Sequence, residues 1–196
     1  MFANRYTALI DACSLVSVWR RNLLLSLAEA EFFRVRWSPR ILAETERTLA
    51  RLQADRGFAD ARERAARAIA SMTRAFPEAL VEDFDRLLGN PVGLPDPNDE
   101  HVVAAALKTQ AQAIVTENLP DFPASVLGSL NLEARSADEF IADTIALEEG
   151  LAISAIRRLR QRLQRPEMQP EDLLRSLEAH GLLETASILA PHLGAL

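Results

Sequence analysis

The chain has 196 residues, 48% of them hydrophobic, enough for an ordinary globular core in one domain, or in one domain with an appendage. A net charge of −6 excludes a protein that coats nucleic acid through its overall field, and a single cysteine, Cys13, excludes an intrachain disulfide framework. No stretch reaches the ~20 apolar residues of a membrane span, and Asp11 interrupts the first apolar run, so the expectation is a cytoplasmic protein without a membrane partner.

In chain order, residues 6–11 read as a short buried strand ending in the carboxylate of Asp11. Residues 15–30 read as a helix, and residues 32–37 alternate as a second strand. Ser38-Pro39 is a helix start, with serine at the cap and proline in the first turn. That helix carries Ile41, Thr45, Leu49 and Leu52 on one stripe, with Glu44 at its flank. An Ala/Arg/Glu-rich helix follows over residues 59–75, then Pro77 and a brief apolar piece, residues 79–81. Asp96 caps a further helix, with Pro97 first, Asp99 third and Val102, Val103, Ala106 and Leu107 behind. Residues 113–116 form a strand that runs into a turn at 118–123, and residues 132–134 form the last strand. Ser136 and Glu139 open another helix as a capping box. From residue 143 onward the pattern is helical only, divided by Pro166, Pro170 and Gly181.

Short apolar strands alternating with helices predict an α/β fold with a mainly parallel central sheet, followed by helices. Ligands of such sheets bind beyond the carboxyl ends of the strands, where Asp11 and the 116–121 turn both fall. Four acidic positions then define the candidate site: Asp11, Glu44, Asp99 and Asp121. Carboxylates with few histidines and one cysteine suit a hard divalent cation such as Mg²⁺ or Mn²⁺ better than zinc. If they converge, the chemistry is metal-assisted hydrolysis of a phosphodiester.

Each residue also has a plainer reading. Asp11 could merely cap the following helix; as the central ligand it would have the Ser14 hydroxyl orienting it or a water. Glu44 could be a solvated surface glutamate; Glu46 is its rival, about 200° around the same helix. Asp99 favours its helix N-terminus electrostatically, which also keeps a carboxylate ionised. Asp121 could belong to ordinary Asx-turn chemistry before Pro123; as a ligand or a base for a second ion it would have Thr116 and Asn118 as hydrogen-bonding supports. His101, two residues beyond Asp99, reads as a surface or partly packed histidine. Arg40 and Arg47 share the helix of Glu44 and are candidate phosphate contacts. Arg157, Arg158, Arg160, Arg162 and Arg165 read as a solvated helix surface, with RNA or partner contact as the alternative. Arginine makes up all the basic residues except Lys108, a ratio that reads as genomic base composition.

The segments Ala-Leu-Ile-Asp11-Ala-Cys-Ser, Ile-Leu-Ala-Glu44-Thr-Glu-Arg, Leu-Pro-Asp-Pro-Asn-Asp99-Glu-His-Val-Val and Ile-Val-Thr116-Glu-Asn118-Leu-Pro-Asp121-Phe-Pro resemble, in order and spacing, those of PIN domains. More narrowly they are similar to the VapC-like toxins of bacterial type II toxin–antitoxin systems, over about residues 5–142. The resemblance implies a three-layer α/β/α nuclease domain, here residues 1–142, with a helical C-terminal extension, residues 143–196, like that of one VapC-like subgroup. It implies a Mg²⁺- or Mn²⁺-dependent endoribonuclease in which Asp11, Glu44, Asp99 and Asp121 hold the ions, Asp11 and Asp99 most directly. RNA as substrate, a cognate antitoxin and a homodimer are implied with it. Glu117 departs from many members of the family. A PIN nuclease of RNA processing without an antitoxin, or a silent PIN binding module, are the alternatives. An Asp-x-Asp phosphatase is disfavoured, because Asp11-Ala-Cys13 lacks the second aspartate.

Overall fold

The computed structural model describes residues 6–88, 92–163 and 167–196; Arg165 and Pro166, singled out above, lie outside the described residues. The elements run β1 (Thr7–Ile10), α1 (Ala12–Val16), α2 (Val18–Glu29), β2 (Arg34–Arg36), α3 (Pro39–Asp55), α4 (Ala61–Ala75), α5 (Asp85–Leu88), α6 (Glu100–Lys108), β3 (Ala113–Val115), α7 (Ala124–Leu127), β4 (Glu133–Arg135), α8 (Ala137–Leu147), α9 (Glu149–Arg162), α10 (Pro170–Ala179) and α11 (Leu183–Leu189). The chain forms two compact units: one takes Arg5–Val16 and Arg34–Arg135, the other Ser17–Phe33 and Ser136–Leu196.

The first of these units contains the whole sheet. Its strands are all parallel, in the order β2-β1-β3-β4, as expected of a PIN-like α/β fold. Position in the sheet explains composition. The central strands β1 and β3 are buried along their length, whereas the edge strands carry Arg34, Arg36, Glu133 and Arg135. Leu9 stands opposite Arg36 on one side and Ile114 on the other, which fixes the register of the pair β1–β3. That register brings the two strand ends together: the Asp11 amide donates to the Val115 carbonyl at 3.0 Å. A parallel bridge from Trp37 to Leu80 accounts for the apolar piece after Pro77.

Helix α3 starts as its sequence dictates, the Ser38 hydroxyl accepting the Ile41 amide at 3.2 Å with Pro39 in the first turn. It buries Ile41, Leu42, Thr45 and Leu49 and pairs with α4 as a helical hairpin. Leu52, expected on the buried stripe, is exposed instead, because the hairpin leaves the far end of α3 outside the core. Helix α6 packs on β1 and β3, and His101 through Ala106 are all buried. Its alanines allow neighbours to approach from every side, so the helix has no solvated face in that stretch.

In the second unit, α2 packs on α8 and α9, and α11 packs on α8 and α10. The expected helix over residues 15–30 is divided, α1 ending at Val16 and α2 starting at Val18, with Ser17 extended between them at φ −70°, ψ 125°. The capping box at Ser136 and Glu139 is present with both hydrogen bonds. Asp138 accepts the amides of Glu184 and Thr185, each at 2.9 Å, and the Thr185 hydroxyl at 2.7 Å, so it satisfies the otherwise orphaned N-terminal donors of α11. Among the described residues no helix is long and apolar enough to cross a membrane.

Candidate functional site

Asp11 leaves the end of β1 almost fully buried, and three groups fix its carboxylate. Its Oδ1 accepts the Ala12 amide at 2.7 Å; its Oδ2 accepts the Thr116 hydroxyl at 2.8 Å and the Cys13 thiol at 3.1 Å. Its carbonyl accepts the amides of Ser14 and Leu15, so the capping role and the cluster role coexist at one residue. Thr116, fully buried at the end of β3, accepts the Asn118 amide at 3.1 Å, and the Asn118 side-chain amide donates to Asp121. A continuous run of hydrogen bonds therefore links the carboxylate of Asp11 to that of Asp121 through Thr116 and Asn118.

Ser14, expected as a possible orienting group for Asp11, is buried with its hydroxyl unpartnered. Cys13 takes that role instead. Its sulfur also lies 3.2 Å from the Thr116 hydroxyl and accepts the Glu117 amide at 3.1 Å. Burial and the neighbouring Asp11 charge push the thiol up to about 11, so Cys13 remains a protonated donor at neutral pH. Sequence reasoning passed over it because a lone cysteine beside an acid carries no spacing signal.

Asp96 accepts the Asn98 amide at 2.8 Å and caps a short 3₁₀ turn, Pro97–Asp99, that leads into α6. Asp99 follows it, half-buried, and its carboxyl is pushed up to about 6, first by burial and then by the charges of Asp11, Asp96, Asp121 and Glu44. The other three candidate acids thus all contribute to raising Asp99, Asp11 the most among them. Glu100, the next residue, grips the incoming loop: its carboxylate accepts the amides of Val92, Gly93 and Leu94 at 2.9, 3.0 and 3.2 Å.

Glu44 reaches the same region from α3. Its Oε1 lies 3.3 Å from Arg40 Nε and 3.4 Å from His101 Nε2. Arg40 also donates to the Asn98 carbonyl at 3.2 Å, tying α3 to the 3₁₀ turn. Arg47 and Glu46 do not join them; both line the groove of about 910 Å³ between α3 and α4. The expectation of a surface or partly packed His101 is corrected: the residue is 1% exposed, and its burial lowers its pKa despite the Glu44 and Asp11 charges, leaving the ring neutral. A two-residue offset from Asp99 turned it away from that acid and toward α3. The arginine cluster of α9 is mostly engaged within its own unit: Arg157 donates to the Ala195 carbonyl, Arg160 to the Met168 and Leu196 carbonyls, and Arg162 pairs with Glu29.

Among the described residues no three acids, histidines or thiols are spaced as a finished metal site. The donor set nevertheless fits a hard cation. It is made of carboxylate oxygens with hydroxyl and amide support, the donor chemistry such a cation takes.

Comparison with known proteins agrees with this fold. A family profile described as PIN domain matches residues 7–119, and one described as VapC50 C-terminal domain matches residues 137–191. A Mycobacterium tuberculosis protein named "Putative ribonuclease VapC50" is 34% identical over 79 residues, 40% of this chain and 47% of that relative. The aligned stretch thus spans about half the length of the curated relative. No solved structure matches the chain significantly.

Proposed function

The chain belongs to the PIN domain family, and on that premise we propose that it is a divalent-metal-dependent endoribonuclease, the toxin of a type II toxin–antitoxin pair. The observation that supports the reading is the hydrogen-bonded run from Asp11 through Thr116 and Asn118 to Asp121 at the ends of β1 and β3, with Arg40 joining Glu44 to the Asn98 carbonyl beside Asp99. The name of the mycobacterial relative supports RNA as the substrate class, and RNA fits a cytoplasmic location. A cognate antitoxin and a homodimer complete the proposal. So does the division into a nuclease domain, residues 1–142, and a helical extension, residues 143–196.

Asp11, Glu44, Asp99 and Asp121 would hold Mg²⁺ or Mn²⁺. When bound, such a cation supplies a water of lowered pKa and neutralises charge on the scissile phosphate. The chain's own groups set the geometry. Thr116 and the Cys13 thiol orient Asp11, and Asn118 orients Asp121. The Arg40 guanidinium, half-exposed beside Glu44, would meet a phosphate oxygen.

Incubating the purified protein with RNA, with Mg²⁺ or with EDTA, tests the reading. Metal-dependent cleavage by the wild type, absent in Asp11→Asn and Asp99→Asn variants of unchanged circular dichroism, is expected. Equal cleavage by all three proteins would refute it. Sequencing RNA 5′ ends in cells after induction identifies the cut site. A small DNA-binding protein encoded in the neighbouring gene separates the toxin reading from RNA processing.

A further inference from the structure

We propose that His101 is the positioning residue of Glu44, donating its Nε2–H to Glu44 Oε1 so that Oε2 is turned toward the acid cluster. The proposal rests on the metal-dependent reading above and adds to it a residue outside the four acids.

Three observations converge. His101 Nε2 faces Glu44 Oε1 at 3.4 Å, while the buried Nδ1 has no partner among the described residues. A doubly protonated ring donates from Nε2 in any case, and a ring with one N–H has two arrangements. With the proton on Nδ1, that N–H would be orphaned and the bare Nε2 lone pair would face a carboxylate oxygen, two costs at once. With the proton on Nε2, one contact is satisfied and only a lone pair goes unpartnered. The second arrangement is therefore favoured, and the 3.4 Å separation has room to shorten once the carboxylate is engaged.

Rigidity is the second point. The Glu44 carboxylate has two neighbours, both on Oε1, and Oε2 takes no hydrogen bond among the described residues. Arg40 is about half exposed and lies on the same helix as Glu44, so it can follow the glutamate's motion. His101 is fully enclosed on α6, a different helix, which is itself buried on all sides from His101 to Ala106. It is the fixed reference against which Glu44 is held. Chemistry is the third point: a buried imidazole serving packing alone would gain nothing from polar nitrogens, one of them dry.

The test compares His101→Gln, whose side-chain amide places an N–H near the Nε2 position, with His101→Met, which fills the space without a donor. Mn²⁺ binding is measured by calorimetry without RNA, and RNA cleavage is measured against Mg²⁺ concentration. His101→Met is expected to weaken Mn²⁺ binding and raise the Mg²⁺ requirement by about tenfold or more, whereas His101→Gln keeps most of both. Wild-type Mn²⁺ binding in His101→Met would overturn the proposal, as would equal loss in both variants with their folds intact. Nitrogen-15 NMR of the wild type reads the tautomer directly and independently of activity. A proton on Nε2 whose resonance moves in Glu44→Gln supports the bond, and a proton on Nδ1 refutes it even if the variants misfold. A wild type that neither binds Mn²⁺ nor cuts RNA, but carries the proton on Nε2, removes the nuclease reading and leaves the His101–Glu44 bond standing.

Discussion

Asp99 shows most directly what the acid cluster does to its members. Its carboxyl, ordinarily near 3.8, is pushed up to about 6 by burial and by four neighbouring carboxylates. The metal-free fold therefore binds a proton that the unfolded chain has already released. Between those two values stability falls as pH rises, and it is recovered as pH drops from 6 toward 4. Replacing Asp99 by Asn should raise the metal-free stability at pH 7 by about 1 kcal/mol, a discounted figure because the group is largely solvent-screened, while abolishing metal-dependent cleavage. Thermal melts of both proteins with EDTA at pH 5 and pH 7 check this: the variant's advantage should shrink at the lower pH. Thr116→Val tests the neighbouring hydrogen bonds. Losing the hydroxyl that serves both Asp11 and Asn118 should cost about 1–2 kcal/mol by urea unfolding and weaken Mn²⁺ binding. At this scale the sequence singled out the four acids because each sits at a strand end, a capped turn or a helix flank. Helical angle put Glu44 and Glu46 on different faces, and the motif around Glu44 chose between them. Cys13 and His101 were not legible, since their roles depend on what the neighbouring strand and helix present to them.

Among the elements, β1, β3, α3 and α8 announced themselves through apolar runs and caps, which are local signals. Helix α6 hid its burial because alanine is compatible with either face, so the sequence pattern looked like a one-sided helix. The break at Ser17 was equally hidden: no proline or glycine marks it. Across the sheet edge, the Tyr6 hydroxyl meets Glu133 at 3.0 Å, and burial together with that carboxylate pushes the phenol up to about 12. Tyr6 is the chain's only tyrosine, so its ultraviolet titration reads this contact alone. Ionisation should begin well above pH 10, with folded stability declining from pH 10 upward because the unfolded chain loses the proton first. Glu133→Gln should bring the midpoint back toward the ordinary value. The loop before α6 offers another test, since Glu100 alone gathers three amides. Glu100→Ala should destabilise the fold by about 1–3 kcal/mol by leaving those donors to water or unpaired.

For the molecule as a whole, the two compact units explain why the linear pattern of strands followed by helices was only half the organisation. Residues Ser17–Phe33 belong with Ser136–Leu196, a long-range association that no local periodicity encodes. Within that unit Asp138 holds the start of α11, and Asp138→Ala should lower its stability by about 1–2 kcal/mol, readable by hydrogen exchange at Glu184 and Thr185. Arg157 and Arg160, which looked available for RNA, instead donate to the carbonyls of Ala195 and Leu196. One measurement bears on the central claim above all others: the anomalous diffraction of crystals grown with Mn²⁺. A peak within about 2.0–2.6 Å of oxygens from Asp11 and Asp99, with Glu44 and Asp121 facing it directly or through water, is the predicted result. Mn²⁺ bound elsewhere, with these four carboxylates uninvolved, would contradict it.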